Sequence, residues 1–212
     1  MKRLLHVIAT PREEESRTLQ ISNTFLNAFQ ERHRDWIIDE LNLSKAELPS
    51  LTLKQVSGKY ILLGGKDLFG RFKEAWIEIE QHIQRFKTAD LYLISTPMWN
   101  FHIPYTLKHY IDLIVQPKYL FRYRKDGSVE GLVKNKKMVV ITSRGGDYTQ
   151  NQSMDFQEPY LRAIFRFIGI TDMEFIKAEP MDMGIEMEKQ KILDAKKAAA
   201  RLGSTIEQGI DA

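Results

Sequence analysis

The sequence contains no cysteine. That excludes a disulfide framework, thiolate zinc sites, iron–sulfur clusters and a cysteine nucleophile, and it is compatible with a reducing, cytoplasmic setting. No apolar run approaches the roughly 20 residues needed to span a bilayer. The stretch Leu4 to Ala9 is interrupted by His6 and followed by Pro11 and the glutamates 13 to 15, which suits a first buried strand better than a secretory signal. An excess of charge of one sign is also missing. Lys and Arg number 31 against 28 Asp and Glu, a net charge of +3, too small and too mixed to argue for nucleic acid or an anionic membrane as partner. With 12 glycines and 7 prolines among 212 residues, and 43% hydrophobic residues, collagen-like, disordered and coiled-coil classes are excluded as well. The expectation is one domain over residues 1–212, large enough to bury roughly 70% of its unfolded surface.

What is present is alternation. Short β-rich apolar runs occur at Leu4–Ile8, Asp35–Ile38, Leu91–Ile94, Met138–Ile141 and Met173–Ile176. Continuous apolar runs of this kind suit parallel strands covered on both faces. Between them, apolar residues recur at helical spacing: Leu19 to Phe29, Phe72 to Phe86, Leu107 to Ile114, Tyr160 to Ile168, and Ile192 to Ile206. Each set forms one helix face suited to packing on a sheet. Five such alternations imply an α/β fold, a doubly wound, five-stranded parallel sheet with helices on both faces. Residues 43 to 67 read as an excursion holding one short helix. Residues 119 to 133 read as an inserted hairpin turning at Asp126-Gly127.

In such sheets ligands sit beyond the carboxyl ends of the strands. After the first strand, Thr10, Ser16 and Thr18 bring hydroxyls, Arg17 a cation and the following helix its free first-turn N–H groups, a set suited to a phosphate; an ordinary capped helix explains the same residues. After the third strand, Pro97 and Pro104 bracket Met98-Trp99-Asn100-Phe101, flat residues beside an amide, as a planar heteroaromatic ligand requires, although Trp99 and Phe101 could equally be core. After the fourth, Ser143-Arg144-Gly145-Gly146 offers paired glycines that let a backbone approach a ligand, or simply form a tight turn. The coincidence of three such loops on one sheet edge favours a shared ligand.

The run Pro97-Met98-Trp99-Asn100-Phe101-His102-Ile103-Pro104, continuing through Leu107-Lys108 and Tyr110-Ile111-Asp112, resembles the signature of the FMN-dependent NADH azoreductases, also described as quinone reductases. Phe121-Arg122-Tyr123 with Glu130 to Val133, Ser143 to Gly146, and Phe167 to Asp172 resemble further motifs of that family in the same order, so the match covers essentially the whole chain. The resemblance implies a flavodoxin-like fold, a homodimer and one non-covalent FMN per subunit. It implies that Thr10, Ser16, Arg17 and Thr18 hold the FMN phosphate. Met98, Trp99, Asn100 and Phe101 would line the isoalloxazine ring, and Ser143, Arg144, Gly145 and Gly146 its pyrimidine edge. Tyr123 and Phe167 match aromatics that border the second-substrate pocket.

The chemistry so implied is hydride transfer from NADH through flavin to a quinone or azo compound by ping-pong turnover, with the hard steps carried by the cofactor. Backbone N–H groups at Gly145 and Gly146 would stabilise charge on the reduced ring. No catalytic acid or base is required, and His102 and Tyr148 read as pocket-wall or structural residues. Glu13, Glu14 and Glu15 would oppose a phosphate unless they turn to solvent. His33, His82 and His109 lack metal-ligand spacing, and the basic-aromatic run Arg122 to Lys125 is a weak nucleic-acid signal. Two other classes compete. An electron carrier serving protein partners would be strongly acidic, and a signalling receiver would need carboxylates where Ala9-Thr10-Pro11 stands.

Overall fold

Five parallel strands form the sheet in the order β2-β1-β3-β6-β7. They are β1 (Arg3–Ile8), β2 (Ile37–Asn42), β3 (Leu91–Pro97), β6 (Lys137–Ser143) and β7 (Asp172–Ala178). The computed structural model describes residues 1–149 and 152–207. Strand order reverses between β1 and β3, because β1 connects outward to β2 and the chain then returns to β1's other side. Alternate residues of the strands feed two cores. Leu4, Leu93, Val139 and Ile141 pack under α1 (Arg17–Arg32) and α6 (Ile185–Thr205). Leu5, Tyr92, Ile94 and Val140 pack under α2 (Leu53–Leu63), α3 (Arg71–Lys87), α4 (Tyr105–Ile114) and α5 (Gln157–Phe167). Burial on both faces is why β1, β3 and β6 read as unbroken apolar runs.

The sheet, its five strands and the helices on both faces match the expected architecture, and the differences lie at element ends. β2 starts at Ile37 rather than Asp35 and continues through Asp39-Glu40 to Asn42. As an edge strand it is only partly covered, so its sequence did not need to stay apolar. Trp36 is instead buried in the preceding turn, edge-on to Phe29 at 5.2 Å. β3, β6 and β7 likewise run past their apolar cores into Ser95-Thr96-Pro97, Thr142-Ser143 and Lys177-Ala178. Those extensions lie at the carboxyl edge, where a site would need polar groups.

The hairpin is shorter than expected, β4 (Phe121–Tyr123) pairing with β5 (Val129–Gly131). Gly127 takes φ +81°, and Asp126 accepts the Ser128 N–H at 2.9 Å. Its root is clamped on the end of α5. A Cβ on Gly131 would stand 2.3 Å from the Gly169 nitrogen. On the opposite face α6 crosses α1 closely enough that a Cβ on Gly203 would stand 2.4 Å from the Phe25 carbonyl oxygen.

Candidate functional site

The carboxyl ends of the central strands are level. Ile8 is in register with Ser95, Pro97 with Ser143, and Ser143 with Ala178. The loops that follow therefore leave the sheet side by side at the reversal of strand order, the place where open α/β sheets bind ligands. They enclose a cleft of about 150 Å³ whose lining comes from Thr10, Ser16, Arg17 and Thr18 after β1, Met98 and Trp99 after β3, and Ser143 to Gly145 after β6.

The first loop gathers hydroxyls at the N-terminus of α1. Ser16 caps α1, its Oγ accepting the Leu19 N–H at 3.2 Å, while the Gln20 N–H bonds the Ser16 carbonyl at 3.0 Å. The N–H groups of Arg17 and Thr18, the first two of the helix, have no acceptor within the helix. Thr10, Ser16 and Thr18 are buried. Thr18 is tied across the cleft, its Oγ1 2.8 Å from Ser143 Oγ. The helix is moored from below as well. Ser22 Oγ lies 2.6 Å from Ser95 Oγ, which lies 2.7 Å from the Nε2 of fully buried His6. Burial lowers the pKa of His6, against a weaker upward pull from Glu40, so the neutral ring is favoured. The glutamates 13 to 15 turn to solvent, Glu13 pairing with Lys45 at 2.7 Å and Glu15 with Arg12 at 3.5 Å.

Arg17 does not project its charge freely into the cleft. Its guanidinium makes a two-pronged pair with Glu188 at 2.7 and 2.8 Å and reaches Asp182 at 3.0 Å. Arg144 is also engaged elsewhere. Its side chain is fully buried, with Nε 3.1 Å from Gln157 Oε1 and Nη1 2.8 Å from Asp155 Oδ2.

The second loop is a tight turn. Trp99 and His102 exchange two backbone hydrogen bonds of 2.9 Å, and Asn100 and Phe101 between them take φ +47° and +68°. Positive φ at both central residues marks a type I′ hairpin turn, natural for Asn and strained for Phe. The turn is pinned to its neighbours: the Met98 N–H bonds Ser143 O at 2.9 Å, the Phe156 N–H bonds Phe101 O at 3.1 Å, and Gln157 Nε2 donates to Pro97 O at 2.8 Å. Trp99 and Phe101 stay 38% and 43% exposed, displayed rather than used as core.

A Cβ on Gly145 would stand 2.4 Å from Asp182 Oδ2, so that exposed carboxylate would have to swing aside. The carbonyls of Arg144 and Gly145 accept the N–H groups of Met181 and Asp182 at 3.0 Å. A fourth loop, from β7 to α6, thus backs the glycines and brings Asp182 into the cleft lining. The sequence reading missed it; the signal was available, because this loop follows the fifth strand at the same edge.

Tyr123 and Phe167 are not brought to this cleft. Phe167 ends α5, whose 11 residues carry it roughly 15 Å from Gln157. It packs on Phe121 at 4.6 Å by the hairpin root, where Val133 N–H bonds Ile168 O at the opposite edge of the sheet. Tyr123 sits beside it, 57% exposed. Arg122 and Arg124 of the hairpin, and Lys134 just after it, all pair with Glu130, at 2.8, 3.4 and 3.0 Å.

A family model described as a flavodoxin-like fold matches residues 2–202. The chain is 35% identical over 208 residues to an FMN-dependent NADH:quinone oxidoreductase of Desulfotalea psychrophila, covering 97% of this chain and 98% of that protein. It is 32% identical to FMN-dependent NADH:quinone oxidoreductase 3 of Pseudomonas fluorescens, covering 100% and 99%. Among solved structures, an azoreductase from Bacillus anthracis superposes with a TM-score of 0.88 at 26% identity, covering 97% of this chain and 100% of that one. An FMN-dependent NADH-azoreductase from the same organism, in complex with FMN, gives 0.82 at 27% identity, covering 96% and 100%.

Proposed function

Because the chain belongs to the flavodoxin-like family of FMN-dependent NADH:quinone oxidoreductases, we propose that it is itself such an enzyme, reducing quinones and azo compounds at the expense of NADH. The observation that carries this reading is the convergence of the three loops, each differently equipped, in one cleft at the reversal of strand order. The residues fit FMN. Its phosphate needs hydrogen-bond donors at a helix N-terminus, and the Arg17 and Thr18 amides with the Thr10, Ser16 and Thr18 hydroxyls supply them. Its ring needs a flat wall, and Met98, Trp99, Asn100 and Phe101 provide one. Its pyrimidine edge needs donors that become more valuable as charge develops, and Ser143 with the Gly145 and Gly146 amides stands in that place; one such preorganised donor is worth about 3 kcal/mol in comparable sites. When bound, FMN supplies hydride acceptance from the donor and delivery to the acceptor, one substrate after the other.

The protein's own contribution is orientation and electrostatics. The pinned turn at Trp99–His102 fixes the wall before a ligand arrives, so little ordering entropy remains to be lost on binding. The ion pairs that hold Arg17 and Arg144 aside leave backbone dipoles, rather than mobile cations, facing the cleft. An enclosed volume of about 150 Å³ is small beside the 300–1,000 Å³ of ordinary small-molecule pockets. The cleft would therefore house the phosphate end, with exposed Trp99 and Phe101 beside it to hold the ring. We assign its cover to a second copy of the chain. Exposed Tyr123, with Phe167 behind it, lies at the far edge of its own subunit and reaches a cleft only in a homodimer. NADH and the cysteine-free sequence suit a cytoplasmic setting, and no helix among the described residues is long and apolar enough to cross a membrane.

The test is anaerobic. The purified protein mixed with FMN should retain a flavin spectrum on gel filtration, lose it on addition of NADH and regain it with a quinone. Protein that takes up no FMN, or flavin that NADH leaves unchanged, overturns the proposal. Sedimentation of the holoprotein at the mass of one 24.8 kDa chain would remove the dimer.

A further inference from the structure

A second and larger cavity, about 630 Å³, lies on the far side of Arg144 from the cleft, between α5 and the edge strand β7. Arg144 lines both spaces, so the two adjoin. Its charges do not balance. Arg144, Arg162, Arg166 and Lys177 supply four cations, while Asp155 and Glu158 in the lining and Glu179, buried 3.6 Å from Arg144, supply three carboxylates. Glu158 is shared three ways, with Arg162 at 2.7 Å, Lys177 at 3.2 Å and Arg144 at 3.8 Å. Arg144 has Asp155 and Glu179 besides, so Glu158 chiefly serves Arg162 and Lys177, and one cation is left over. The shortfall shows in two places. The Nη2 of Arg144 is buried without a hydrogen-bond acceptor. The guanidinium of Arg166, on the same face of α5 one turn beyond Arg162, has no partner among the described residues. A buried unpaired donor of this kind is costly to leave unmade and marks a place for a missing acceptor.

We propose that this cavity binds a phosphorylated anion, of the charge and size of a pyrophosphate, against Arg144 Nη2, Arg166 and Lys177. Guanidinium groups suit such a ligand because their donors match phosphate oxygens in pairs. Two sources share this chemistry. One is the pyrophosphate of the dinucleotide donor, which would anchor in the cavity while its nicotinamide lies on the ring beyond Arg144; that source rests on the function proposed above. The other is a separate phosphorylated ligand.

The experiment uses the FMN-loaded protein, so that the phosphate cradle of the cleft is filled. Inorganic pyrophosphate is titrated by calorimetry into the wild type and into Arg166→Gln and Lys177→Gln, whose side chains are at the surface and whose melting temperatures serve as a folding control. The expectation is one site per chain, weakened roughly tenfold by either substitution, as loss of one charge-assisted contact implies, and weakened further by salt. No binding to the wild type, or binding unchanged in both variants, overturns the proposal. Flavin reduction by NADH and by reduced nicotinamide mononucleotide, which lacks the pyrophosphate and adenosine, then separates the sources. A raised KM for NADH alone in the variants identifies the donor; pyrophosphate binding with both KM values unchanged identifies a separate ligand. If neither donor reduces the flavin, the proposed function fails while the titration still decides the anion site.

Discussion

Replacing Arg144 with methionine tests whether its buried charge organises the loops behind the cleft. The guanidinium has no exposed surface and meets Asp155 at 2.8 Å, Glu179 at 3.6 Å and Glu158 at 3.8 Å. Glu179 is itself buried, and its Oε2 has no hydrogen bond. Methionine would fill most of the volume but leave at least one buried carboxylate without a counter-charge. Removing one partner of a buried ion pair costs about 3–5 kcal/mol. For a domain of this length each kcal/mol moves the melting temperature by about 2–4 °C, so a fall of roughly 6–20 °C is expected. Calorimetry or circular dichroism on the cofactor-free protein measures it. The stranded charge can be separated from lost packing by a double-mutant cycle. Neutralising the carboxylate in Arg144→Met/Glu179→Gln should return part of the loss, a coupling of about 0.5–3 kcal/mol. Arg144→Lys keeps the charge but not the fork that serves Asp155 and Gln157 together, and should fall between. A melting point within about 3 °C of wild type for Arg144→Met, or strict additivity in the cycle, would refute the reasoning.

Ser16→Ala removes the α1 cap and one hydroxyl of the cradle; about 0.5–2 kcal/mol of stability should go, with weaker FMN retention in a titration, and a loss of neither would detach this residue from both roles. Gly131→Ala forces a Cβ against the backbone of Gly169, an overpacking expected to cost about 1–3 kcal/mol in thermal unfolding, because peptide atoms on both sides cannot swing away. Glu130 should titrate at about 2 rather than 4.5, held down first by Lys134 and then by Arg122. Its support for the hairpin is complete above about pH 4.5 and lost as pH falls toward 2; an NMR midpoint near 4 would contradict this.

The strands that lie inside the sheet were legible because two-sided burial demands an unbroken apolar run, and residues 91–94 and 138–141 have no alternative use for such runs. The helix faces were legible for the same reason. The polar ends of β3, β6 and β7 were not, since Ser95, Thr142 and Lys177 look like loop to a hydrophobic criterion although the ladder continues through them. β2 was half legible, its edge position freeing Asp39 and Glu40 from the pattern. In the cleft, the turn at Asn100 was readable from residue type, because a bracket of prolines around flat side chains is unusual. The engagement of Arg17 with Glu188 was not, because it joins positions 171 residues apart through packing of α1 on α6. Nor could spacing alone show that Tyr123 and Phe167 stand at the other edge. That depends on the direction in which α5 runs back across the sheet.

The tie between Arg17 and Glu188 also sets when the cleft comes into being. The β1 loop is synthesised long before α6, so the surroundings of Arg17 stay unfinished until α6 docks against α1. A chain cut before α6 keeps every hydroxyl of the first loop and the loop that backs its glycines, yet has lost the Glu188 carboxylate that steers its arginine. Flavin uptake by truncated chains should strengthen once α6 is included, and the ligand, once held, adds its binding free energy to the folded state alone.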